Sequence, residues 1–214
     1  MDTDHSAISS PQTLLLPCLY FAPIQYYSKL ASGHDCLIEL HEHFPKQTYR
    51  TRTEICDSNG RMKLIIPLKK HPERTPTKDI RISYDAPWQD LHWKTLESAY
   101  RSSPYFEHYE DEFSGFYKGP QFEFLAEYNL AIQEVVLRLI KLKPVIHFTA
   151  SYEKTPPATT DMRGLISPKT PFVTDTLFHI KPYPQVFEPK YGFLPNLSIA
   201  DLLFNEGPHA VDYL

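Results

Sequence analysis

Three groups of residues combine the types and spacing that chemistry requires. The first is His41-Glu42-His43. If the strand that begins near Cys36 continues, both imidazoles lie on one face, two residues apart. Such a pair suits proton transfer or hydrogen bonding to a substrate, and it equally suits polar residues that merely close a strand. Zinc would need a third and fourth ligand, and none stands at the usual spacing, so no metal site is expected. The second group is Lys46, Tyr49, Arg50 and Arg52. Alternation from Gln47 to Cys56 puts Arg50 and Arg52 on one strand face, and two parallel guanidinium forks fit a phosphate or carboxylate. The competing reading is a solvated face paired with an acidic helix. Tyr49 between them can stack a base. The third group is Asp161, Arg163 and Lys169, in a proline-rich stretch where stiff backbone places charged side chains for binding, or where an Asp–Arg pair pins the loop. Cys18, Cys36 and Cys56 sit in apolar or strand-like stretches and read as filler rather than nucleophiles.

The elements that must position these groups are legible in part. Residues 14–21 form a short apolar run suited to a buried strand. Residues 23–33 read as a short helix closed by Gly33, and 35–40 as a second strand. The alternating run from Gln47 to Cys56 meets a second alternation at Met62, Leu64, Ile66 and Leu68 across Asn59-Gly60, which predicts a β-hairpin. Residues 80–84 read as a further strand. One helix is expected from Pro87 to before Ser102, with Trp88, His92 and Leu96 on its apolar face. Another is expected from about Gln121 to Lys143, stopped by Pro144. Val145 to Ala150 reads as a final strand, 153–195 as a long ordered loop, and 198–207 as a short helix capped by Ser198. This order predicts an α/β fold: a Rossmann-like mixed sheet with a β-hairpin and a helical insertion. Residues 1–12 are expected to be disordered, and 13–214 to form a single domain.

Composition narrows the function classes. The 214 residues include 20 Pro, only 7 Gly, and 14% aromatics, at a net charge of −4. An aromatic content this high excludes general disorder, and proline without glycine excludes collagen-like or flexible-linker sequence. The charge total hides two blocks. Residues 41–81 hold ten Lys/Arg against five Asp/Glu, while 85–134 hold three against ten. With no overall basic field, nucleic acid is not an expected partner. No GxGxxG, GxxxxGK[ST] or GxSxG motif is present, so no cofactor is expected, and scarce glycine leaves any phosphate binding to side chains. The longest apolar run, Leu14 to Ile24, is too short for the ~20 residues of a membrane span. With an acidic, polar start and few cysteines, this points to the cytoplasm.

The stretches LYFAPIQYYSKL, HEHFPKQTYRTR, NGRMKLIIPL, Trp88 with His92, SAYRSSPYFEHYEDEF, DMRGLISPK and VFEPKYGFLPNLSIADLLFNEGP together resemble the WbqC-like family of bacterial proteins. Two positions depart from the pattern: Cys18-Leu19 stand where many relatives have Gln-Pro, and Thr51 where many have Asn. The resemblance implies a cytoplasmic protein of surface-polysaccharide or O-antigen biosynthesis. It further implies aminoacyl (glycyl) transfer to a phosphate-linked amino sugar or nucleotide-sugar. On that reading His41, His43 and Asp161 are the candidate catalytic residues. Lys46, Tyr49, Arg50, Arg52, His92, Arg163 and Lys169 are the candidate substrate contacts. Two other readings stay open. One is a nucleotidyltransferase-like enzyme, although Gln25 and Tyr27 stand where that class has histidines. The other is a non-catalytic protein whose aromatics bind carbohydrate or a partner.

Overall fold

A computed structural model describes residues 13–214, so the expected disordered stretch 1–12 lies outside the described residues. The chain opens with strand β1 (Thr13–Pro17), in which Leu14, Leu15 and Leu16 are all buried, as a parallel strand covered on both faces requires. Helix α1 (Ile24–Leu30) follows, and Gly33 at φ +78° turns the chain into β2 (Cys36–Glu39). The hairpin is β3 (Arg52–Asp57) with β4 (Gly60–Ile65). Asp57 pairs with Gly60, so the two loop residues are Ser58 and Asn59 rather than Asn59 and Gly60. Gly60 itself, at φ +101°, begins the return strand in a conformation that glycine adopts without strain. The expected strand at 80–84 is reduced to isolated bridges, Leu68 with Ile82 and Arg81 with Phe124.

Helices α2 (Trp88–Tyr100), α3 (Phe106–Lys118) and α4 (Leu125–Leu139) make the insertion. Helix α3 is absent from the sequence reading. Its signal was an aromatic stripe at Phe106, Phe113 and Tyr117, all buried, set among so many charges that its mean hydropathy is near zero. The chain then forms β5 (Ile146–Phe148), β6 (Thr159–Asp161), the single turn α5 (Glu188–Tyr191) and α6 (Ile199–Glu206). Strand β6 lies inside the stretch read as loop. Its Thr-Thr-Asp sequence carries no apolar signal, and it is a strand because the edge of β1 offers unpaired backbone groups to it.

The architecture is α/β, with the parallel and antiparallel strands in separate sheets. The four-stranded sheet has the order β5-β2-β1-β6, all parallel, and the hairpin stands as its own two-stranded sheet. Helix α4 covers the large sheet where Ala126 and Leu130 meet Cys18, Ile38 and Ile146. No helix among the described residues is long and apolar enough to cross a membrane.

The tail fastens the layers together. Ser198 caps α6 by accepting from the Ala200 N–H at 3.2 Å, and its own N–H donates to the Glu54 carbonyl of the hairpin at 2.7 Å. Inside α6, Asp201 is fully buried and accepts from Tyr100 Oη at 2.8 Å, Tyr183 Oη at 2.7 Å and Gln185 Nε2 at 3.2 Å. Burial pushes its carboxyl up to about 6, and these donors hold back part of the rise. A carboxyl raised in the folded state adds stability in full below its unfolded pKa, and loses it as pH rises through the folded value. Wild type should therefore gain on Asp201→Asn between pH 7 and pH 3.5, by up to about 3 kcal/mol. Urea unfolding at the two pH values measures the difference, and an equal gap at both would show an unshifted carboxyl.

Candidate functional site

The strand order locates the site. From β1 the chain moves outward to β2 and then β5, before returning to place β6 on the opposite side of β1. Loops leaving the carboxyl ends of β1 and β6 therefore diverge, and such a reversal is where open parallel sheets form ligand crevices. A cleft of about 320 Å³ lies among the segments tied to those ends, lined by Tyr49, Glu54, Arg61, Lys169, Phe172 and Asn196. Three connections set its walls. The Tyr20 N–H, just past β1, donates to the Tyr49 carbonyl at 2.9 Å. The segment after β6 runs directly into Lys169 and Phe172. Asn196 Oδ1 accepts from the Gln25 N–H in the first turn of α1 at 2.9 Å.

That last bond has a chemical consequence. The Ile24 N–H also donates to the Leu197 carbonyl at 3.0 Å, so the tail occupies the donors that a phosphate would use at the start of α1. The Gln25 side chain is committed as well, donating to Asp175 Oδ2 at 2.8 Å, and Tyr27 is buried. The cationic side chains that line the cleft are those of Arg61 and Lys169. Lys169 is exposed. Arg61 reaches Glu54 at 2.9 Å and the Pro195 carbonyl at 2.9 Å, which fixes its guanidinium at the cleft wall.

Past the carboxyl ends of β2 and β6, charged groups alternate in sign. Arg50 is 2% exposed and donates through Nε to Glu42 Oε1 at 2.7 Å, with a second guanidinium nitrogen on the same oxygen. Its carbonyl accepts from Asn129 Nδ2 at 2.9 Å. Arg163 grips Asp161 through Nε and Nη2 at 2.9 and 2.7 Å, and reaches the fully buried Glu39 at 3.3 Å. Burial pushes the Asp161 carboxyl up, but hydrogen bonds and charge from Arg163 outweigh it and hold the group below its ordinary value. Asp161 is thus a weak base whose geometry serves to orient Arg163. Glu42 moves the other way, because burial outweighs the pull of Arg50.

The structure brings some of the sequence candidates together and separates others. Tyr49 and Lys169 face one cleft, and Asp161 and Arg163 form one pair. Arg50 and Arg52 do not share a strand face. Arg50 lies in a turn, because β3 starts only at Arg52, and its charge is drawn inward by Glu42. Arg52 is half-buried, with its guanidinium on the Gln47 carbonyl. Strand β2 ends at Glu39, so His41 lies in a bend, and His43 makes only an isolated bridge to Pro76. The bend is held by Glu39 Oε1, which accepts from the His41 N–H at 2.6 Å and the Glu42 N–H at 3.1 Å. His43 is exposed and stacks on Tyr152 at 6.0 Å, with the Arg163 guanidinium 5.7 Å from the same ring. Lys46 is exposed.

His92 sits apart, in the aromatic core. It is 2% exposed, meets Tyr20 Oη through Nδ1 at 3.0 Å, and burial pushes its pKa down to about 4. Burial likewise drives the Cys18 thiol up to about 12, which leaves it inert at neutral pH. Among the described residues no three His, Cys, Asp or Glu side chains are grouped to hold a metal ion. Glu39, Arg61 and Asn196 are not among the candidates in the sequence, and Glu42 enters there only as the residue between the two histidines. Arg61 lies in the basic hairpin, where its charge was visible, but nothing local marks Asn196.

A buried ion pair is costly to break from one side. Arg50→Met alone should lower unfolding free energy by roughly 3–5 kcal/mol, and the double variant Arg50→Met, Glu42→Leu should recover most of that loss. Chemical denaturation of the three proteins decides it, and equal losses in the single and double variants would rule out the coupling.

The family model described as the WbqC-like protein family matches residues 18–166. That stretch starts just after β1, carries α1, β2, the hairpin, the helical insertion, β5, β6 and both charged pairs at the strand ends, and stops short of Lys169 and α6. No curated protein matches the chain, and no solved structure matches it. With most of its length matched, the chain belongs to the WbqC-like protein family.

Proposed function

We propose, starting from membership of the WbqC-like family, that this protein is a cytoplasmic transferase of bacterial surface-polysaccharide biosynthesis. Its substrate is an amino sugar carried on a phosphate or diphosphate, and its reaction is aminoacyl, specifically glycyl, transfer. The observation that carries this reading is the cleft between hairpin and post-β6 segment, where Lys169 and Arg61 supply positive charge beside the ring of Tyr49. A phosphorylated sugar needs that combination: cations for the phosphate and a flat apolar face for a ring.

In the proposed reaction the sugar amine attacks the acyl carbon of an activated glycyl donor. A C–N bond forms, the donor's acyl bond breaks, and the amine loses a proton to His41 or His43. Glu42, between these histidines, holds Arg50, which adjoins the cleft-lining Tyr49. Arg163, oriented by Asp161 and Glu39, packs against the Tyr152 ring on which His43 also stacks, and suits the donor. No adenylating motif accompanies these residues, so the donor arrives already activated.

Nucleotidyl transfer gains nothing from the geometry, since the start of α1 is occupied by Asn196 and Leu197. Calorimetry with a uridine diphosphate-linked amino sugar should show binding, weakened roughly tenfold or more by Lys169→Ala and again by Arg61→Ala, as expected for lost charge-assisted contacts. Unchanged affinity in both variants would remove the phosphate role. Binding that is intact without any glycyl transfer would turn the protein into a carbohydrate-binding module.

A further inference from the structure

The wall of the cleft continues into a segment that exposes large aliphatic side chains. Residues 171–182, PFVTDTLFHIKP, present Val173 at 72%, Leu177 at 55% and Ile180 at 41% exposure. Three large aliphatic side chains exposed within eight residues form a concentrated apolar surface, of the kind that marks an interaction site. The segment is also firmly anchored. Asp175 pairs with Lys29 at 2.7 Å, both side chains being 1% exposed, and accepts from Gln25 Nε2 at 2.8 Å. Phe178 is buried beneath the Lys29 ammonium, 6.0 Å away, and meets Phe172 edge-on at 6.1 Å. Asp175 and Phe178 therefore point inward to hold the segment, while Val173, Leu177 and Ile180 point outward among the exposed Thr174, Thr176 and His179.

Its charge is one-sided. Between Met162 and Phe187 the sole acidic residue is Asp175, which is neutralised by Lys29, whereas Lys169 is exposed, and so is Lys181, whose ammonium donates to the Asp212 and Leu214 carbonyls at 2.9 and 3.2 Å. An exposed aliphatic cluster with Lys169 and Lys181 at its two ends, and no unpaired carboxylate within residues 163–187, is complementary to an anionic lipid surface: the side chains enter the acyl boundary and the ammonium groups meet headgroups. The segment also begins as cleft wall, since Pro171 and Phe172 line the cleft and Val173 follows directly.

We infer that residues 171–182 dock the protein on anionic membrane, and that the cleft consequently takes its phosphate-linked sugar from a lipid carrier in that membrane rather than from solution. The second half of this inference rests on the function proposed above, and the first half does not. A lipid-linked diphosphate presents its phosphates at headgroup depth, which is where the docked segment would place Lys169.

Co-sedimentation of the full chain with phosphatidylcholine vesicles, with and without phosphatidylglycerol, tests the docking. The expected result is binding to the anionic vesicles that weakens with added salt. It should fall more than tenfold in Val173→Asp, Leu177→Asp, and about fivefold in Lys181→Ala, the loss of one lysine at an anionic surface. Calorimetry with the soluble nucleotide-linked sugar should be unchanged in these variants, which keeps failure of docking distinct from failure of the cleft. Absence of vesicle binding at low salt would overturn the inference, as would equal binding by wild type and Val173→Asp, Leu177→Asp. Concentration-dependent self-association abolished by the same double variant would assign the surface to a second copy of the chain and also overturn it.

Discussion

The Arg50 guanidinium is among the largest groups this fold buries completely, and burying it imposes a condition on everything around it. Such an ion loses several kcal/mol of hydration unless a carboxylate and further hydrogen bonds replace the water. Glu42 supplies the carboxylate and is itself buried, so the bend after β2 must meet the turn before β3 in one arrangement. The same turn is held from α4 by Asn129 on the Arg50 carbonyl, and from the end of β1 by Tyr20 on the Tyr49 carbonyl. Sheet, hairpin and helical insertion are thereby registered at one point. Tyr49 faces the cleft as a consequence.

A second consequence concerns which charges remain for a ligand. At the carboxyl ends of β2 and β6, Glu39, Asp161 and Arg163 are committed to one another, as Glu42 and Arg50 are. The cations that look most available in sequence, the paired arginines of the hairpin, serve structure instead. The cations that line the cleft are on the periphery: Lys169 on the segment after β6, and Arg61, itself paired with Glu54, on the return strand. With few glycines and the start of α1 closed by Asn196 and Leu197, the polar lining of the cleft comes from side chains on separate segments.

Legibility followed the range of the interactions involved. The buried strands β1 and β2, the hairpin and α2 announce themselves through local periodicity, because each is formed by near neighbours in sequence and only its face is set by the core. Helix α3 had the same period in its aromatics but was masked by acidic residues on its outer face. Strand β6 had no local signal at all, since two threonines and an aspartate become a strand only beside β1. The extension of β2 through His41 and His43 failed for a related reason: Glu39 turns its side chain back to accept the next backbone N–H groups, and a capped bend replaces two further strand residues.

What the sequence alone determined is the α/β class, the positions of most elements, the family, and the residues from which a site is drawn, because these depend on composition and on spacing of a few residues. What the tertiary structure decided is which of those residues can act. Arg50 and His92 were removed into the interior, Asp161 was tied to Arg163, and Tyr49 and Lys169 were brought to one cleft from positions 120 residues apart. The physical reason is that the cost of burying a charge, and the partner that offsets it, belong to the packed molecule and are not properties of any local stretch.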